Sequence, residues 1–333
     1  MTMVDTTTIW LADADSTHLC GKSLAHTLYG KYLTIGLNGD LGAGKTTFLQ
    51  GFLKELGVSD EITSPTYALE QRYNSPIADI IHIDLYRLKE KQAKELLTQT
   101  DDFEGIRCVE WIEKAGTNDM CDIVISLADG KDGGRDINIE FRDMSYPTKE
   151  QILGWREDMS LPPHICNHCD AVAKFATSFG QNLLKHGVII RPGALHTAGL
   201  IHDLMRFVDF KDGSTKEDSK EDRSIWNTWK LQYPGLHHED ACAAFLEEHG
   251  HNAFATIVRT HGLGSHSGPL NTIEQKLLFY SDKRVAEDVV VTLQERFDDF
   301  TIRYGNGNKS EEGEIWLKGS LELEKELTGL CDF

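Results

Sequence analysis

The sequence is poor in several features that would mark an environment or a chemistry. No apolar run in its 333 residues approaches the roughly 18 to 20 needed to span a bilayer, so neither a membrane-embedded chain nor a membrane partner is expected. The start, MTMVDTTTIWLADAD, has neither a basic n-region nor an apolar h-region, so a cytoplasmic chain without a secretory leader is expected. Cysteine is sparse and odd in number, seven residues in all, which fits reduced thiols rather than a disulfide framework. Cys166 and Cys169 form one C-x-x-C, but no second pair exists to complete a four-cysteine zinc site. Positive charge is in deficit: 34 Lys and Arg against 53 Asp and Glu leave −19. Such a surface repels a nucleic-acid backbone, so an RNA substrate would need a partner to hold it.

What is present divides the chain in two. Three of fourteen histidines, His18, His26 and His82, precede residue 145, and eleven follow it. Tyr32 to Leu37, Ile80 to Leu85 and Arg107 to Trp111 read as strands, and Lys45 to Leu56 as a helix. Asp122 to Leu127 and Ile137 to Phe141, joined by the turn-rich Asp129-Gly-Lys-Asp-Gly-Gly, read as a hairpin. Residues 1–145 are therefore expected to form an α/β domain. Residues 146–155 read as a linker around Tyr146-Pro147, and 156–333 as an all-α domain, where Val172, Phe175, Ala176 and Phe179 keep helical spacing. Phe210 to Arg223, charged and Ser-containing, reads as an exposed loop.

Gly39-Asp-Leu-Gly42-Ala43-Gly44-Lys45-Thr46-Thr47 matches G-x-x-x-x-G-K-[ST] between a strand and a helix. Glycines let the backbone N–H groups turn around phosphates, Lys45 reaches the β- and γ-phosphates, and the Thr46 hydroxyl ligates Mg²⁺. That makes ATP or ADP with Mg²⁺ the expected cofactor of a P-loop domain. Magnesium also calls for an acid at a neighbouring strand end. Asp84, closing Ile80-Ile-His-Ile-Asp84, fits, with a cap on the next turn as the lesser alternative. Glu110, in Cys108-Val-Glu110-Trp111, ends another strand and could be no more than a solvated carboxylate.

The ordered set GDLGAGKTTF, Ser64-Pro65-Thr66-Tyr67, His82-Ile-Asp84-Leu-Tyr86-Arg87-Leu88 and Val109-Glu110-Trp111 resembles the TsaE family over residues 8 to about 143. One departure is Ile112, where many relatives carry proline. The resemblance implies that Lys45 and Thr46 hold ATP and Mg²⁺, and that Asp84 is a metal-side carboxylate. Glu110 and Trp111 would complete the hydrolytic site, with Ser64 and Thr66 in a loop that senses the γ-phosphate. It also implies TsaB and TsaD proteins as partners in threonylcarbamoyladenosine modification of tRNA, with tRNA reached through them.

In the second half, His168, His202-Asp203, His238, His261 and Asp282 are expected on separate helices. Neighbouring side chains on a helix diverge by roughly 100 degrees, so an adjacent His-Asp pair can serve one centre only if that centre lies between several helices. Imidazole and carboxylate suit Mn, Fe, Ni, Co or Zn, and a bridging Asp203 suits two divalent metals. Any one of these histidines alone could as well be a core or surface residue. With their flanks they resemble the HD phosphohydrolase superfamily over about residues 158 to 300, in its dinuclear subgroup. His237 beside His238 leaves the register open, with His238 preferred because Ala241-Cys242-Ala243 then falls where relatives have small residues. His164, His196, His249, His251 and His266 read as non-ligands. Arg206, Lys283 and Arg284 could contact phosphate or could be solvated helix charges.

Three functions fit. A TsaE-like ATPase fused to a dinuclear phosphohydrolase of a nucleotide or small phosphate ester comes first. The others are a nucleotide-gated binding module whose helical domain only senses, and a di-iron oxygenase on the same helical scaffold.

Overall fold

Three buried parallel strands make the centre of the first half: β2 (Leu33–Asn38), β4 (Asp79–Asp84) and β5 (Ile106–Glu110). Every residue of β5 is buried, as a strand covered on both faces requires. Around them lie β1 (Asp5–Leu11), β3 (Glu70–Asn74), β6 (Ile123–Asp129) and β7 (Arg135–Phe141), in the order β1-β7-β6-β2-β5-β4-β3. β6 and β7 form the expected hairpin, with Ile125 opposite Ile139. The helices are α1 (Ala14–Leu24), α2 (Lys45–Glu55) and α3 (Glu90–Gln99). α1 starts where the Asp13 carboxylate accepts the Ser16 N–H at 2.8 Å. Phe48, Leu49, Phe52 and Leu53 of α2 are fully buried in a cluster with Ile35 and Leu37 of β2.

The computed structural model describes residues 4–131, 133–210, 219–263, 268–305 and 310–331. It divides into two units: Met1–Met144 with Leu183–Arg191, and Ser145–Asn182 with Pro192–Phe333. The division at 145 is thus incomplete, because nine later residues return to the first unit. Ile189 joins the first unit's core. The Arg191 guanidinium, fully buried, donates to both Asp143 carboxylate oxygens at 2.5 and 2.9 Å and to the Thr27 carbonyl at 2.8 Å.

The second unit contains α4 (Lys149–Asp158), α5 (Pro163–Lys185, whose end from Leu183 falls in the first unit), α6 (Pro192–Ile201), α7 (Lys220–Gln232), α8 (His238–Glu248), α9 (Asn252–Arg259) and α10 (Ile273–Lys283). α11 (Leu293–Gly305) and α12 (Glu311–Gly329) follow. The expected linker 146–155 is largely helix: Thr148 and Gln151 form a capping box that starts α4. The expected loop 210–223 is also cut short, because Ser219 and Asp222 cap α7 in the same way, while 211–218 lie outside the described residues. The unit is not purely α either, since β8 (Val285–Ala286) and β9 (Val289–Val290) make a two-residue antiparallel pair. The predicted face of α5 is real. Val172 and Ala176 are fully buried, and the Phe175 and Phe179 rings lie 6.2 and 5.5 Å from that of Tyr280.

Among the described residues, no helix is long and apolar enough to cross a membrane.

Candidate functional site

In the first unit, β2 turns into the glycine loop at the carboxyl end of the sheet. Gly39, Gly42 and Gly44 have φ of 137, 84 and 102°, backbone that L side chains rarely adopt. A Cβ on Gly39 would also meet the Leu127 carbonyl oxygen at 2.4 Å. Ala43 is buried behind the loop, and α2 starts directly after Gly44, its first residues Lys45, Thr46 and Thr47. The Lys45 ammonium donates to the carbonyls of Gly39 at 2.6 Å and Asp40 at 2.9 Å, and lies 3.7 Å from the centre of the Trp111 ring. Burial lowers its pKa, partly offset by the carboxylates of Glu110, Glu113 and Asp84.

The register of the sheet sets the two acids side by side. Glu110 of β5 pairs with Leu37 of β2 on one side and Asp84 of β4 on the other. Glu110 Oε1 accepts the Thr46 hydroxyl at 2.8 Å and lies 3.0 Å from His82 Nε2, in a site where His82 is fully buried. Asp84 Oδ2 accepts the hydroxyls of Ser64 and Thr66, each at 2.6 Å. Its other oxygen accepts the Tyr86 N–H at 2.9 Å, so the local turn cap also exists and occupies the second oxygen. Trp111 holds a left-handed backbone (φ 62°), and its ring lies 4.9 Å from that of Tyr86. The residues named from sequence for this unit thus lie on and around one loop, with Thr47 following Thr46 in α2. His82 as the partner of Glu110 was not foreseen, because the link runs across two strands.

In the second unit, α5 supplies His168, α8 supplies His238 and α10 supplies Asp282. His202-Asp203 and His261 differ from expectation: they stand just past the ends of α6 and α9, outside regular helix. This removes the angular difficulty, since a turn lets adjacent side chains face one centre. Gly199 brings the α6 end close to α5, for a Cβ there would sit 2.4 Å from the Ala173 Cα. The His168 and His202 rings are then 5.4 Å apart.

The four imidazoles are oriented alike. Each Nδ1 lies on an acceptor: the Glu287 carbonyl for His168 at 2.9 Å, Gly199 for His202 at 2.8 Å, Val258 for His261 at 2.5 Å, and the Asp209 carboxylate for His238 at 2.5 Å. Every Nε2 is thereby turned inward, the outer-partner arrangement of metal-binding histidines. His168 Nε2 lies 2.9 Å and His202 Nε2 3.7 Å from Asp282 Oδ1. Asp203 Oδ1 lies 3.2 Å from His238 Nε2 and 3.4 Å from His261 Nε2, while its Oδ2 lies 3.9 Å from His202 Nε2. Three donor groups are close enough to hold a cation: His168, His202 and Asp282; His202, Asp203 and His261; and His238, Glu239 and His261. The donors fit a metal on a second ground, because His202 Nε2 and Asp203 Oδ1 are buried without a hydrogen-bond partner. Burial alone would raise the Asp203 pKa, but the His202 charge and the contacts from His238 and His261 hold it well below the usual carboxylate range.

His238 stands in this cluster, whereas the neighbouring His237 side chain is mostly exposed, 3.6 Å from Asp209. Lys283 is buried, donating to the His261 carbonyl at 2.9 Å and to the Asp282 carboxylate. Arg206 lies against the His238 ring. Arg284 is engaged elsewhere, by Tyr280, Glu324 and the Val291 carbonyl, and so leaves the phosphate-contact set. His164 and His196 are exposed, and His249 and His251 bond to the Phe245 and Ser145 carbonyls. His266 lies outside the described residues. Glu239 and Asp209 were not foreseen; the one available signal was a second His-acid pair, His238-Glu239.

The family described as "Threonylcarbamoyl adenosine biosynthesis protein TsaE" matches residues 11–137. The tRNA threonylcarbamoyladenosine biosynthesis protein TsaE of Nostoc is 35% identical over 144 residues, 42% of this chain and 88% of the relative. That of Haemophilus influenzae is 36% identical over 143 residues, 41% of this chain and 90% of the relative. That of Bacillus subtilis is 37% identical over 95 residues, 28% of this chain and 60% of the relative. Through its first unit, the chain belongs to the TsaE family.

Proposed function

We propose that the first unit hydrolyses ATP as the TsaE-type subunit of tRNA threonylcarbamoyladenosine synthesis, and that the second is an HD-type dinuclear phosphohydrolase of a nucleotide or other small phosphate ester. The first half rests on the meeting of Lys45, Thr46, Asp84 and Glu110 at the ends of three adjacent strands. In this reading the loop from Gly39 to Thr47 cradles the triphosphate and Lys45 exchanges two carbonyls for phosphate oxygens. Thr46 would ligate Mg²⁺ through a lone pair of its hydroxyl, and Asp84 would stand on the metal side. Glu110, kept in place by His82, orients the attacking water, and Thr66 reports the γ-phosphate through Asp84. TsaB and TsaD are the expected partners. Holding tRNA falls to them, in keeping with a net charge of −19.

The second half is carried by one observation: four imidazole Nε2 atoms and two carboxylates converge, with His202 Nε2 buried and unbonded. His168, His202, Asp203 and Asp282 would hold one divalent ion, and Asp203, His238 and His261 the other. When bound, such ions supply Lewis acidity and an activated water. Lys283 balances the charge of Asp282, and Arg206 is placed to meet a phosphate oxygen.

The test uses the full chain carrying Lys45→Ala, so that the loop site is silent. With Mn²⁺ it is screened against nucleotides, dinucleotides and cyclic dinucleotides, with and without oxygen. Release of phosphate or nucleotide without oxygen, lost in Asp203→Ala, is the expected result. Turnover only with oxygen would favour an oxygenase. Metal binding with no turnover of any kind would favour a sensor.

A further inference from the structure

The inward-facing imidazoles do not find their outer supports in the same way. His202 and His261 stand just past helix ends, and each Nδ1 lies on a carbonyl three residues back, Gly199 and Val258. Carbonyls in a last turn have no partner within the helix, so they are free to accept. His168 has no such local acceptor. It lies inside α5, where the nearby carbonyls are engaged in the helix itself. Its Nδ1 is met instead by the Glu287 carbonyl at 2.9 Å, 119 residues away in sequence.

Glu287 opens the turn between β8 and β9, which pair Val285 with Val290 and Ala286 with Val289. Its φ is 56°, a left-handed backbone that is uncommon away from glycine and that short hairpins mostly give to glycine or asparagine. Such backbone persists where the surroundings over-determine it, and it gathers at functional sites. Here the strands are closed by Val291, whose N–H donates to the Arg284 carbonyl at 2.7 Å and whose carbonyl accepts the Arg284 Nε–H at 2.6 Å. The Glu287 side chain does not explain the turn. It is mostly exposed and lies 3.3 Å from Arg303, an ion pair of the kind that contributes little. The carbonyl is the group with a buried partner. The same short segment begins with Asp282, whose Oδ1 lies 2.9 Å from His168 Nε2. Asp282 and Glu287 thus grip the two nitrogens of one ring.

We propose that Glu287 is a positioning residue for the first metal position, acting through its backbone carbonyl on His168. A carbonyl can only accept, so it commits the Nδ1–H and turns the Nε2 lone pair of the neutral ring toward the ion. This rests on the dinuclear reading above.

Full-length Glu287→Pro, whose ring holds φ at about −65° and so cannot keep this turn, is compared with Glu287→Gly, which takes positive φ freely and lacks the side chain. Both variants and the wild type are stripped of metal and titrated with Mn²⁺. Free ion is followed by electron paramagnetic resonance and bound ion by elemental analysis. Wild type is expected to bind two ions, and Glu287→Gly to match it. Glu287→Pro should bind one ion as the wild type does and the other about ten- to a hundred-fold more weakly, the loss typical of an outer partner. In a His168→Ala background the proline should add no further loss, because its effect runs through that ring. Unchanged affinity in Glu287→Pro, an equal loss in Glu287→Gly, weakening of both ions, or an undiminished effect in the His168→Ala background each overturns the positioning role and leaves the dinuclear reading standing. A wild type that holds fewer than two ions overturns both.

Discussion

The Thr46 hydroxyl donates to the Glu110 carboxylate at 2.8 Å, so the two residues assigned to magnesium and to hydrolysis hold each other. In the proposed reading the Thr46 hydroxyl would ligate Mg²⁺ through a lone pair while still donating to Glu110, which would then stand beside the metal and the attacking water. Glu110→Ala is therefore expected to lower turnover far more than ATP affinity. Steady-state kinetics with nucleotide-binding titration checks this, and equal losses in both would reduce Glu110 to a structural role.

Lys45→Ala should abolish ATP hydrolysis. The phosphatase activity proposed for the second unit should persist, because the two sets of site residues belong to separate units. Assaying both activities on one preparation decides the matter. Joint loss in a folded protein would contradict their independence.

Asp203 divides its oxygens, Oδ1 toward His238 and His261 and Oδ2 toward His202. Asp203→Ala should leave close to no metal, His261→Ala an intermediate content, and wild type about two ions per chain. Elemental analysis after growth with Mn²⁺ or Fe²⁺ measures all three. Metal content indifferent to Asp203→Ala would remove the bridging role.

Metal uptake should weaken as pH falls. Burial alone would lower the His202 pKa, but Cys169, Asp203 and Asp282 raise it well above 6.5, so near neutrality a metal must displace its proton. Titration calorimetry in buffers of different ionisation enthalpy should detect proton release at pH 7 and tighter binding at pH 8 than at pH 6. PH-independent affinity would contradict this.

Arg191→Ala should destabilise the first unit by about 3 to 5 kcal/mol, as removing one partner of a buried ion pair does, since Asp143 then loses both its bonds. Thermal or urea unfolding, followed through loss of nucleotide binding, measures it. A loss below about 1 kcal/mol, the level of an exposed pair, would show that Asp143 finds other partners.

The loop residues and both strand-end acids were readable because their chemistry demands fixed positions on consecutive local elements. Pairings across the sheet, such as His82 with Glu110, leave no trace in linear spacing. In the second unit the six residues proposed as donors were readable as a set, but their supports were not, for helical periodicity does not mark where α6 and α9 stop. Two helix starts carried their own signal, Thr148-Lys-Glu-Gln151 and Ser219-Lys-Glu-Asp222, yet their polar composition suggested linker and loop. β1 carries a clean strand alternation, with Thr6, Thr8 and Trp10 facing outward, yet its threonine-rich composition gives it little apolar signal. The return of Leu183–Arg191 had no sequence mark at all.

That return bears on the order in which the protein is made. An N-terminal domain ordinarily folds once its own last residue has left the ribosome. Here Ile189 and Arg191 are still unsynthesised when Met144 emerges, and Asp143 must wait for its guanidinium. The nucleotide-binding unit closes its core only after the chain has already begun to lay down α4 and α5, so the birth of the ATPase is tied to the progress of the domain that follows it.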